Sequence, residues 1–153
     1  MRIEREYHFY AGHRNQTLGG KCANIHGHRY GVTVVIRPER TRAGITMEFA
    51  DIDRTVKPIL AYYDHALMID RNDPLHAVLD ENFDLHWGET PPDYTGSPMK
   101  VVVFDEETSA ENLARKLFTS FHRALLPVVE VRLRETDSSV VVYDIDDYRG
   151  DMD

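Results

Sequence analysis

Cysteine is nearly absent: Cys22 is the single one in 153 residues. An internal disulfide is thereby excluded, which agrees with a reducing compartment and leaves the thiol for packing or for chemistry. Long apolar runs are absent too. Nothing approaches the ~20 consecutive apolar residues of a membrane-crossing helix, so none is expected. The opening MRIEREYHFY carries charge through its first six residues and has no apolar core of a secretory signal, which places the expected location in the cytoplasm. Positive charge is scarce, with 18 Lys and Arg against 26 Asp and Glu and a net charge of -8. That sign opposes general nucleic-acid binding, and a polyanionic small molecule would need a local basic pocket. Repeats, low-complexity tracts and interdomain linkers are also missing, so residues 1–153 are expected to form one domain around a single core.

What is present is patterned. From Ile3, the residues Ile3, Tyr7, Phe9 and Ala11 share one parity, while Arg2, Glu4, Glu6 and His8 share the other, as in a half-buried strand. From His26 to Arg37 the alternation is cleaner, with Tyr30, Val32, Val34 and Ile36 on one face, and this second strand is expected to run antiparallel to the first. Ile52, Val56, Leu60 and Tyr63 fall at helical spacing over Phe49 to Tyr63, with Asp51 as a possible N-cap and Pro58 inside the helix. Residues 70 to 105 read as an irregular, proline-bearing excursion, most visibly in TPPDYTGSP, with a short strand at Lys100 to Phe104. Thr108 and Glu111 form a capping-box pattern opening a helix to about Leu125, with a stripe of Leu113, Leu117, Phe121 and Leu125. After Pro127, Val129, Val131, Leu133 and Glu135 share a strand face, and Val141, Tyr143 and Ile145 share another beyond the turn TDSS.

The stretch CANIHGHRY carries the chemistry. Side chains alternate along a strand, so His26 and His28 point to one side, in phase with the apolar residues Tyr30, Val32 and Val34. His13 is in phase with Phe9 and Ala11 on the first strand, so a hairpin brings a third imidazole to the same place. Three imidazoles leave a fourth position open, as in a catalytic zinc site, although iron or nickel also accepts imidazole. An H-x-H pair alone is a weak motif. His8, His76, His86 and His122 lack such partners and read as surface or hydrogen-bonded histidines. Cys22 sits in a loop beside Lys21, where a cation and a nearby dication would favour the thiolate, a general base or nucleophile. The competing reading is a small packing residue.

The set FYAGH, CANIHGHRY, YYDHALM, TSAENLA and LRETDSS, from about Ile3 to Tyr143, resembles the family of 6-pyruvoyl-tetrahydropterin and 6-carboxy-tetrahydropterin synthases. The resemblance implies an α+β tunnelling fold, or T-fold: a four-stranded antiparallel sheet with two helices packed on one face, assembled into trimeric barrels and hexamers with sites at subunit interfaces. It implies Zn2+ on His13, His26 and His28, catalysis by Cys22, and a proton-relay pair in Asp64 and His65. It also implies a pterin anchor in Glu135, with Thr136 and the segment Thr108 to Glu111 lining the pterin pocket.

The family substrate is 7,8-dihydroneopterin triphosphate. The three-residue gap between Cys22 and His26 is similar to that of the carboxy branch, which releases triphosphate and acetaldehyde in a step toward the deazaguanine of queuosine. The pyruvoyl enzyme, a divergent pterin lyase and a non-catalytic pterin-binding protein are the alternatives. Arg14, Lys21 and Arg29 are candidates for holding the triphosphate.

Overall fold

The computed structural model describes residues 1–39, 42–89 and 98–153. The two alternating segments form the expected antiparallel hairpin, β1 (Ile3–His13) and β2 (His26–Ile36), in unbroken register from Ile3 opposite Ile36 to His13 opposite His26. Phe9, Ala11 and His13 are buried on β1, and Tyr30, Val32 and Val34 on β2, so one face of the hairpin is core. The other presents Glu4, Glu6, Tyr10 and Arg29 to solvent.

Helix α1 (Phe49–Tyr63) buries Ile52, Val56, Leu60 and Tyr63 against this face, and Pro58 is accommodated within it. Its N-cap is Glu48, not Asp51, which lies in the first turn and pairs with Arg54. Among the described residues the sheet has seven strands rather than four, in the order β4-β5-β3-β1-β2-β6-β7. The expected antiparallel four are β1, β2, β6 (Val128–Thr136) and β7 (Ser139–Asp144). The other three, β3 (Ala66–Asp70), β4 (Asp84–Trp87) and β5 (Pro98–Phe104), pair in parallel and extend the sheet beyond β1.

The excursion is therefore regular through most of its described length. It contains α2 (Pro74–Asn82), capped by the Asp73 side chain accepting from Leu75 N–H. Strands β3 and β5 are buried on both faces: Met68, Val102 and Phe104 join the main core, while Ile69 and Val101 form a second one with Leu79. The strand expected at Lys100 to Phe104 is β5, two residues longer at its start, whereas β3 was not expected, because a doubly buried parallel strand shows no alternation for a period-two reading to find. The TPPDYTGS portion, residues 90–97, lies outside the described residues.

Helix α3 (Ala110–Arg123) packs on β6 and β7 and against α1. Its N-cap is Ser109, which accepts from Asn112 N–H, so the Thr108–Glu111 box is displaced by one residue. The helix stops short of Leu125, which has left-handed backbone (φ 63) and is 90% exposed; Ala114 and Phe118 complete the stripe instead. On β6 the register shifts where Val35 and Ile36 face Glu130 and Val128, so Val128 takes the buried place expected of Val129. Ile145 opens a last helix, α4 (Ile145–Met152), rather than extending the β7 face, because Asp144 and Asp147 close a reciprocal capping box there. No helix is long and apolar enough to cross a membrane among the described residues.

Candidate metal centre and pterin site

The hairpin register places the three imidazoles together. The candidate ligand nitrogens of His13, His26 and His28 lie within 4.8 Å of one another, the sole such cluster of His, Cys, Asp or Glu among the described residues. Backbone carbonyls orient two of the rings. His13 Nδ1 lies 2.7 Å from the Thr108 carbonyl and His26 Nδ1 lies 2.7 Å from that of Asn24. A carbonyl only accepts, so in each neutral ring Nδ1 carries the proton and Nε2 presents a lone pair. His13 Nε2 is 3.1 Å from His28 Nε2. A tetrahedral zinc with Zn–N bonds of 2.0–2.1 Å needs ligand nitrogens about 3.3 Å apart, so the donor set fits. Thr108 is itself fixed, its hydroxyl donating to the Arg14 carbonyl or the Asn15 side-chain oxygen.

Burial favours the neutral form of His13 and His28, the form that binds metal. His13 is fully buried, which pushes its pKa down to about 4, with His26 and His28 adding repulsion and the Thr108 carbonyl opposing. Burial also lowers His28, Glu135 pulls it back, and His26 lowers it further. In the metal-free protein the unfolded chain therefore takes up a proton at His13 near pH 6.5 that the folded chain refuses until about 4. Stability is full above 6.5 and is lost as pH falls toward 4, by about 3 kcal/mol from this group. Thermal melts of chelator-treated protein across that range should show a shallower slope for His13→Gln, and an identical slope would remove His13 as the cause.

Glu135 stands at a second register shift in β6, where Arg134 faces Val140 and Thr136 faces Ser139, leaving Glu135 as the extra residue. Such a bulge re-aims its side chain, and Glu135 Oε1 reaches 3.6 Å from His28 Nε2 with the side chain 25% exposed. The alternation of Val131 and Leu133 indicated this face, but the bulge was not legible. Thr136 is exposed at the strand end and Glu111 is exposed on α3; neither is drawn against the histidines by a described hydrogen bond.

Helix α1 ends at Tyr63, freeing Asp64 and His65 to turn toward each other. Asp64 is extended and His65 is left-handed at φ 60. His65 N–H donates to the Tyr10 carbonyl at 2.6 Å, Tyr10 N–H donates to Asp64 Oδ1 at 2.9 Å, and His65 Nδ1 donates to Asp64 Oδ2 at 2.8 Å. Burial raises the Asp64 carboxyl, yet the Tyr10 N–H, His65 and Lys100 outweigh it and hold it below the usual range. His65 and His28 both line a shallow cleft of ≈ 390 Å³ with Tyr10, Gly12, Gly27 and Arg29. Gly12 faces Gly27 across the hairpin, so the cleft floor is backbone.

Cys22 is half-buried in a 3-10 turn, Gly20–Ala23, within the loop joining the ligand strands, and its carbonyl accepts from Asn15 N–H at 2.8 Å. Of the three anion candidates, Arg14 is engaged: its Nε donates to the buried Asp73 at 2.6 Å. Lys21 and Arg29 are exposed. Two contacts were missed by sequence reading, Arg14–Asp73 and Lys100 beneath Asp64. For Lys100 a signal existed, since it shares parity with Val102 and Phe104 in an apolar strand, where a lysine is rarely found.

The fold and site define an α+β protein whose hairpin gathers three imidazoles, with a carboxylate beside them, into a candidate metal site. The chain belongs to the 6-pyruvoyl tetrahydropterin synthase family, whose model matches residues 2–146. It is 28% identical to the 6-carboxy-5,6,7,8-tetrahydropterin synthase of Haemophilus influenzae, over 94% of this chain and 98% of that one. It is 26% identical to the protein of the same name from Aquifex aeolicus, over 92% and 96%. In fold it is similar to an uncharacterized protein from Wolinella succinogenes (TM-score 0.69, 23% identity, 95% of this chain and 98% of that one). The Caenorhabditis elegans 6-pyruvoyl tetrahydropterin synthase is similar in the same way (TM-score 0.63, 20% identity, 94% of each chain).

Proposed function

We propose that the chain is a 6-carboxy-5,6,7,8-tetrahydropterin synthase that holds Zn2+ and converts 7,8-dihydroneopterin triphosphate to the 6-carboxy product, releasing triphosphate and acetaldehyde. The observation that carries this is the Nε2 set of His13, His26 and His28 with Glu135 at 3.6 Å from His28. When bound, the cation acts as a Lewis acid on the substrate's side-chain oxygens. Glu135, as a carboxylate, accepts two parallel N–H bonds from the amino-pyrimidinone edge and fixes the ring. Cys22 as thiolate removes a side-chain proton, and His65, its Nδ1 held by Asp64, delivers or accepts the compensating proton at Nε2. Copies of the chain associate as a trimer or hexamer, consistent with the outer edge of β7 and the exposed Val140 and Val142 it carries.

Mass spectrometry of the products from purified protein and dihydroneopterin triphosphate decides the reading. The 6-carboxy product with acetaldehyde is expected; a product that keeps the whole side chain after loss of triphosphate would make it the pyruvoyl enzyme. Zinc and pterin retained without turnover would make it a binding protein. Glu135→Gln replaces one acceptor oxygen by an NH2 group facing a donor. Pterin KM should rise by about 10- to 100-fold, the loss of roughly 1.5–3 kcal/mol for a charged hydrogen-bond pair. Metal content should be unchanged. Loss of metal and pterin together would assign Glu135 to folding instead.

A further inference from the structure

Helix α1 ends in carbonyls with no partner inside the helix, and one side chain from a distant strand takes two of them. Lys100 on β5 is 8% exposed, and its Nζ donates to the Ala61 carbonyl at 2.7 Å and the Asp64 carbonyl at 2.6 Å. A cation at a helix C-terminus also meets the negative end of the helix dipole. β5 is hydrogen-bonded on both sides, to β3 and β4, so the ammonium is delivered from a rigid base. The same insertion presses on the last turn of α1 a second time. Gly88, whose N–H donates to the Val101 carbonyl, lies so near Tyr62 that a Cβ there would fall 2.0 Å from the ring. The residue clamped by Lys100 is the one whose carboxylate holds His65 Nδ1.

We propose that Lys100 is a positioning residue: a strap from the 70–105 insertion that fixes the turn at Asp64 and so holds the His65 imidazole in its working orientation. The proposal deepens the reading of Asp64–His65 as a proton-relay pair and rests on it. Both hydrogen bonds of the Lys100 ammonium go to backbone carbonyls, so its loss acts through orientation. Replacing it with methionine removes both donors while filling the space beside Val102 and Phe104 with an apolar chain.

The test compares Lys100→Met with Leu79→Ala, which opens the insertion's second core without touching the turn. Lys100→Met should lower kcat at least tenfold with KM within twofold, metal content unchanged and the melting temperature not reduced. Leu79→Ala should lower the melting temperature and leave kcat within twofold at low temperature. Nitrogen-15 NMR of the imidazoles supplies an activity-independent reading. His65 should show a fixed Nδ1–H tautomer in the parent and an averaged one in Lys100→Met. If Lys100→Met keeps kcat within twofold, or keeps the single tautomer, or if Leu79→Ala loses kcat equally, the strap is overturned. A parent protein with no turnover overturns the proposed activity, and the tautomer comparison then decides the strap alone.

Discussion

His28→Ala is expected to lose its metal and its turnover together while remaining folded. The imidazole of His28 contributes one of three nitrogens gathered within 4.8 Å, so its removal leaves two rings facing the cation from adjacent strands. Structural zinc sites bind with roughly 10–16 kcal/mol over their full ligand set, and losing one protein ligand removes several kcal/mol, about a hundredfold to a thousandfold in affinity. A preparation dialysed against a weak chelator should then hold less than a tenth of the parent's metal by inductively coupled plasma mass spectrometry. The backbone at this position has no special conformation and faces Ala11 across the hairpin, so alanine is compatible with the strand. His13 and His26 keep their carbonyl partners at Thr108 and Asn24, and the hairpin register survives. Full metal content in the variant would mean that the cation, if held, is held elsewhere.

That expectation could be framed from the sequence because period-two alternation fixes which residues share a face. HGHRYGVTVVI is long enough to determine both the strand and its inward parity, and a hairpin with the first strand puts His13 on the same face, while the register that sets it opposite His26 is seen only in the fold. The three-histidine cluster was legible for this reason. The surrounding groups were legible only in part. Glu135 has the right parity from Val131, yet its approach to His28 depends on a register shift, and a single extra residue in a strand leaves no compositional mark. Asp64 and His65 could be named, but their geometry depends on Tyr10 backbone groups 54 residues away in sequence. Of the insertion's parallel strands, β5 was expected at Lys100 to Phe104 and starts two residues earlier, whereas β3 escaped because burial on both faces erases alternation and β4 because it is only four residues long. The α3 cap moved from Thr108 to Ser109 because two hydroxyls stand side by side and the Thr108 hydroxyl is directed to Arg14 and Asn15.

Cys22→Ala separates the chemistry from the site that supports it. The metal should be retained, since the sulfur is not among the groups clustered closely enough to ligate. The fold should be retained as well: the turn uses the Cys22 carbonyl, which holds Asn15 N–H, and alanine keeps that carbonyl. Gly19 and Gly20, both left-handed at φ 66 and 56, set the backbone path into the turn independently of the thiol. What alanine removes is the proposed general base, and removing a general base slows turnover by about 10²- to 10⁴-fold. The fall should appear in kcat, with pterin KM little changed because the proposed anchor, Glu135, is left in place. Cys22→Ser should be nearly as slow, since a hydroxyl of similar size is far too weakly acidic to supply the anion. Stopped assays of kcat and KM beside metal analysis on the same preparations test all of this. Should Cys22→Ala turn over at the parent rate with its zinc in place, proton abstraction would pass to His65, whose Nδ1 is already held by Asp64 and whose Nε2 would then be the base.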